Sequence, residues 1–111
     1  SISNAANINF IGNVFSGSQR DGIYIAGTSS DLLLLANSFT GYGASAASNG
    51  VKAGNNTVTR VSIIDNFFRY GAASSGAYAI DMQIATDCQI ADNKIAWTTQ
   101  SAVFVNGMVA S

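Results

Sequence analysis

One asparagine recurs four times in this chain, each time in the same setting. Asn13, Asn37, Asn66 and Asn93 fall 24, 29 and 27 residues apart. The segments around them align without gaps: N-I-N-F-I-G-N-V-F over 7–15, D-L-L-L-L-A-N-S-F over 31–39, R-V-S-I-I-D-N-F-F over 60–68 and D-C-Q-I-A-D-N-K-I over 87–95. Two positions after each asparagine stands an apolar residue: Phe15, Phe39, Phe68 and Ile95. Three and five positions before it stand apolar or small residues: Phe10 and Ile8, Leu34 and Leu32, Ile63 and Val61, Ile90 and Cys88. A repeat of this length points to stacked supersecondary units, none able to bury its apolar face alone.

A second short run recurs between the asparagines: G-I-Y-I-A-G over 22–27, G-V-K-A-G over 50–54, A-I-D-M-Q-I over 79–84 and A-V-F-V-N-G over 102–107. Short alternating runs bounded by glycine and polar residues are strand behaviour. No stretch sustains a 3.6-residue period, so almost no helix is expected. Three short strands per repeat make one coil of a solenoid, and about four coils stack ~4.8 Å apart. An inward asparagine at a tight corner can then bond the same side chain one coil away, satisfying polar groups otherwise buried unpaired. Asparagine also simply favours turns. Four matches in register, each with its apolar residue two positions on, favour the ladder.

The pattern V-x-I-x-x-N-x-F followed by G-I-x-I resembles the pectate-lyase-like right-handed parallel β-helix superfamily, and phage tailspike or tail-fibre segments above all. The resemblance spans essentially all of 1–111. It implies an all-β, single-stranded parallel β-helix with three short sheets: G-I-x-I on the first, the segment before the asparagine on the second, and the short strand after it on the third. The pattern is specific for architecture and poor for activity, since one fold hosts unrelated functions.

Composition narrows the function classes. Five basic and six acidic residues, every acid an Asp, leave a formal charge of −1 and no basic footprint for nucleic acid. No apolar run reaches the ~18 residues of a membrane-spanning helix. One cysteine excludes an internal disulfide, and with no histidine a zinc site or other metal centre is not expected; no cofactor is implied. The abundance of Gly, Ser, Ala and Asn resembles a linker, but the regular placement of Val, Ile, Leu and Phe argues for a packed core. The chain starts without Met or a signal-peptide pattern, which reads as a single β-helix segment, 1–111, of a longer secreted or virion protein.

Alternation assigns faces. On the first sheet, Ile23/Ile25, Val51/Ala53, Ile80/Met82 and Val103/Val105 are expected inside. Tyr24, Lys52, Asp81 and Phe104 then form one outward column, and Ala26, Gly54, Gln83 and Asn106 a second. Rings stack on sugar faces and charged groups bond hydroxyls, so Tyr24, Lys52, Asp81, Phe104, Gln83 and Asn106 are the candidate saccharide contacts. The competing reading of Lys52 and Asp81 is a solvated cross-strand pair worth about 0.2–1 kcal/mol. On the second sheet Ile11, Leu35, Ile64 and Ala91 are expected to face outward, with Leu33 beside them. Such an apolar stripe suggests a partner surface or a covering loop. The tailspike resemblance implies the former, in a homotrimer within a larger assembly.

Catalysis has thinner support. Hydrolysis of a polysaccharide uses two carboxylates about 5–9.5 Å apart. Asp81 and Asp21 are the candidates, but two coils separate them, roughly 10 Å. Asp65 and Asp92 precede ladder asparagines and read as turn caps; Asp31 and Asp87 read as turn residues. Asn55-Asn56-Thr57 is a glycosylation triplet, Trp97 and Tyr70 read as loop aromatics, and Cys88 as a small core residue. The tailspike or tail-fibre resemblance therefore implies a structural and receptor-binding segment that contacts bacterial surface polysaccharide, on a virion tail or outside the cell. The alternatives are a fragment of a polysaccharide-degrading hydrolase or lyase, with its constellation incomplete in this segment, and a bacterial adhesin.

Overall fold

The computed structural model describes residues 1–16, 21–42, 49–54, 57–70, 78–82, 85–96 and 103–104. The strands among them are β1 (Ile2–Ser3), β2 (Ala6–Ile11), β3 (Val14–Ser16), β4 (Ile23–Ala26), β5 (Ser30–Leu35), β6 (Ser38–Tyr42), β7 (Val51–Ala53), β8 (Thr59–Ile64), β9 (Phe67–Tyr70), β10 (Ile80–Asp81), β11 (Gln89–Ala91), β12 (Lys94–Ala96) and β13 (Val103–Phe104). Every third strand joins the same sheet. The orders are β1-β4-β7-β10-β13, β2-β5-β8-β11 and β3-β6-β9-β12. All pairings are parallel. The chain is thus an all-β parallel β-helix of four coils, and β13 opens a further turn. Of the run expected to be a strand over 79–84, Ile80 and Asp81 are paired, and residues 83–84 lie outside the described residues.

Two corners of each coil are set by backbone conformation. The residue before each ladder asparagine has a left-handed φ: Gly12 at 68°, Ala36 at 56°, Asp65 at 56° and Asp92 at 55°. A second left-handed column lies six residues before the asparagines, at Asn7 (59°), Asp31 (57°), Arg60 (53°) and Asp87 (54°). Asn and Asp tolerate this conformation because their short polar side chains bond locally; Ala36 and Arg60 lack that help. Asp65 and Asp92 thus stand at this left-handed corner.

The interior follows from the alternation. Leu32, Leu34, Val61, Ile63 and Cys88 are buried from the second sheet, and Ile23, Ile25, Val51, Ala53, Ile80 and Met82 from the first. The third sheet contributes Phe39 and Phe68, with Phe15 and Ile95 packed against the core at the ends. The rings of Phe15 and Phe39 stack at 4.9 Å, and those of Phe39 and Phe68 at 4.7 Å, nearly parallel. The coil spacing enforces this geometry, because identical side chains in register lie one strand apart.

Candidate functional site

The four asparagines hold the corner between the second and third sheets. The Oδ1 of each of the three later ones accepts from the backbone N–H of the asparagine one coil earlier: Asn13 to Asn37 at 2.9 Å, Asn37 to Asn66 at 2.8 Å and Asn66 to Asn93 at 2.8 Å. The Nδ2 of the same three donates back to a carbonyl three residues before that earlier asparagine. Asn37 reaches Phe10, Asn66 reaches Leu34 and Asn93 reaches Ile63, all at 2.8 Å. Asn37 and Asn66 are 2 % exposed, so these bonds satisfy groups that water does not reach. The column is a scaffold for the outer walls.

A second polar column precedes the first sheet. The Asp21 carboxylate accepts from the backbone N–H of Asn49 at 2.7 Å, and Asn49 Oδ1 accepts from that of Tyr78 at 2.8 Å. Asp21 thus carries a turn. Asn49 escaped the sequence reading, although the Asx-Gly dipeptides at 21–22 and 49–50, each opening a first-sheet strand, were a visible signal.

On the first sheet the backbone register aligns Tyr24 with Lys52, Lys52 with Asp81, and Asp81 with Phe104. Tyr24 is 36 % exposed and Lys52 half-buried. The Tyr24 ring lies over Gly54, where any side chain would collide with it. An open groove of about 440 Å³ lined by Ser1, Asp21, Gly22 and Tyr24 adjoins this end of the column. Asp81 departs from expectation: it is only 4 % exposed. Its register keeps it in the column between Lys52 and Phe104, but at this burial it is no open surface carboxylate. Phe104 joins the column through its backbone, and Gln83 and Asn106 lie outside the described residues. So do Trp97 and the asparagines of the glycosylation triplet; its Thr57 hydroxyl donates to the Gly27 carbonyl at 2.6 Å.

The second sheet carries the apolar stripe. Ile11 aligns with Leu35, Leu35 with Ile64, and Ile64 with Ala91. Ile11 is 55 % exposed, and across the corner Val14 is 73 % exposed; Leu33, Leu35, Ile64 and Ala91 are half-buried. Alongside runs a polar feature the sequence reading did not assemble. Asp31, Leu33, Arg60, Ser62, Asp87 and Gln89 line an open groove of about 450 Å³. Arg60 grips Asp31 with two parallel bonds, Nε to Oδ1 at 2.7 Å and Nη2 to Oδ2 at 3.0 Å. This contact holds the Asp31 carboxyl below the usual carboxylate range and pushes Arg60 up, with Asp87 adding to the latter. Burial pushes the Cys88 thiol up, and its sulfur donates to the Thr86 carbonyl at 3.3 Å.

Among the described residues, no three His, Cys, Asp or Glu side chains gather to hold a metal ion, and no helix is long and apolar enough to cross a membrane. The chain matches no protein-family model, and comparison with curated proteins and with solved structures returns no match.

Proposed function

We propose that this chain is a structural, saccharide-contacting segment of an extracellular or virion assembly, of the pectate-lyase-like and tailspike kind that its repeat resembles. The observation that carries the reading is the pair of open polar grooves on the outer walls of the coils. Each is lined by side chains mounted on or beside paired strands, so their positions cost little ordering on binding. The disposition of the acids favours binding over hydrolysis. Asp21 accepts a turn N–H, Asp31 is clamped by Arg60, and Asp81 is buried. The outward strip of Tyr24 and Lys52 gives a ring and a cation beside one groove. The stripe of Ile11, Leu35, Ile64 and Ala91, with Val14 across the corner, fits packing against parallel copies in a trimer, and Leu33, two residues further from the corner, is left to the groove.

The test is to incubate the chain with capsular and pectic polysaccharides, measuring binding and any new reducing ends or unsaturated products. The expected result is binding without product release, weakened by Tyr24→Ala. Product release that Asp21→Asn abolishes would overturn the reading in favour of a hydrolase or lyase.

A further inference from the structure

The groove on the second sheet has a composition that selects among sugars. Two columns build it. Thr59 bridges Thr86 and Ser30 aligns with Thr59, so the next residues, Asp31, Arg60 and Asp87, stand side by side across three coils. Two residues on, Leu33 aligns with Ser62 and Ser62 with Gln89. The guanidinium has five N–H donors in a planar fork. Two of them bind Asp31, leaving three outside that pair on a side chain that lines the groove and is 53 % exposed. Asp87 is exposed one strand further on, about 4.8 Å along the stack. A donor fork thus stands beside an acceptor carboxylate, with the Ser62 hydroxyl and Gln89 amide in the adjoining column and Leu33 supplying an apolar patch.

This array is complementary to adjacent hydroxyls on a sugar ring. One hydroxyl accepts from the Arg60 fork while its neighbour donates to Asp87, and hydrogen bonds to charged groups are the stronger kind. Two carboxylates against one guanidinium leave the groove with a formal charge of −1, which repels a uronate. The cation sits in a left-handed backbone column otherwise occupied by Asn and Asp. That is a costly place for a long side chain, and it sets the charge between two acids.

We infer that the groove lined by Asp31, Leu33, Arg60, Ser62, Asp87 and Gln89 is a subsite for a neutral hexopyranose, held through two neighbouring hydroxyls by Arg60 and Asp87. The inference rests on the saccharide-contacting reading above and names the sugar class and the wall that takes it.

The experiment titrates the isotope-labelled chain with neutral gluco-, manno- and galacto-configured oligosaccharides, and separately with oligogalacturonate, following backbone amide shifts. At least one neutral probe is expected to shift the amides of Ser62, Asp87 and Gln89. Oligogalacturonate is expected to bind there at least about tenfold more weakly. Asp87→Asn and Arg60→Asn, both compatible with the left-handed backbone, are each expected to weaken the neutral sugar about tenfold or more, with an unchanged circular dichroism spectrum. Shifts confined to Tyr24 and Lys52, or full affinity in both variants, would overturn the groove while leaving the saccharide reading intact. Oligogalacturonate binding the groove as tightly as the neutral sugars would overturn the neutral preference. Silence with every sugar would overturn the groove and the saccharide reading together.

Discussion

Replacing Asn66 with alanine removes the most connected rung of the ladder. Its Oδ1 accepts from the backbone N–H of Asn37 at 2.8 Å and from the Asn37 side chain at 3.0 Å. Its Nδ2 donates to Leu34 O at 2.8 Å, Ile64 O at 3.0 Å and Asn93 Oδ1 at 3.0 Å. Alanine leaves the Asn37 N–H and the Leu34 carbonyl without these partners, at residues closed to water. Each orphaned buried group costs about 1–3 kcal/mol, so the substitution should cost roughly 2–6 kcal/mol. A domain of this size has about 5–15 kcal/mol of stability in all. The thermal midpoint should fall by roughly 10–25 °C. Asn13→Ala is the internal control. Asn13 is exposed on the first coil, and Asn37 Oδ1 keeps its bond from the Asn13 backbone at 2.9 Å, so the loss there should stay below about 1 kcal/mol. Thermal unfolding followed by circular dichroism reads both variants. Equal midpoints for Asn66→Ala and Asn13→Ala would refute the claim that buried ladder bonds hold the coils in register.

Phe39→Ala removes the middle ring of the three-ring stack and should destabilise by about 3–5 kcal/mol, read by urea unfolding. Gly50→Ala drives a methyl to 2.6 Å from the Ala79 carbonyl and 2.7 Å from the Phe68 ring; it should lower the midpoint measurably, whereas Gly12→Ala, with open space around it but a left-handed φ, should cost about 1–2 kcal/mol. The buried Cys88 thiol should resist a thiol reagent until unfolding. Its folded pKa is raised, so the folded state holds the proton longer, and its contribution is intact below the unfolded thiol value of about 8.5 and falls as pH climbs beyond it. Asp31 behaves in the opposite sense: its lowered folded pKa gives stability that is present above about pH 4 and lost on acidification, and solvent screening at this exposed pair should let salt erase it. For the apolar stripe, light scattering should find an oligomer that Leu35→Ser with Ile64→Ser dissociates, and a monomer in both forms would sink the assembly reading.

The architecture was legible because the repeat is a direct image of the coil. The asparagines mark one corner, and the residues two after and three and five before them mark the interior. Leu32, Leu34, Val61, Ile63 and Cys88 are inside for that reason. Alternation gives a side chain's face but not its exposure, and Asp81, expected in the open, is buried. The second-sheet groove was not legible. Its charged members are 29 and 27 residues apart in sequence, and each reads singly as a turn residue. Arg60 carries no signature of a left-handed corner, since that conformation is normally announced by Gly, Asn or Asp. Only the register of three coils brings Asp31, Arg60 and Asp87 together.

The stacking of coils is most directly tested by interstrand nuclear Overhauser contacts in the folded chain. The parallel register that aligns Leu34 with Ile63 and Ile63 with Ile90 predicts amide-to-α-proton contacts linking these three strands with no offset, together with a contact between the Asn37 backbone amide and the Asn66 side-chain amide. Antiparallel α-to-α contacts, or a one-residue slip that pairs Leu34 with Ser62, would contradict the account.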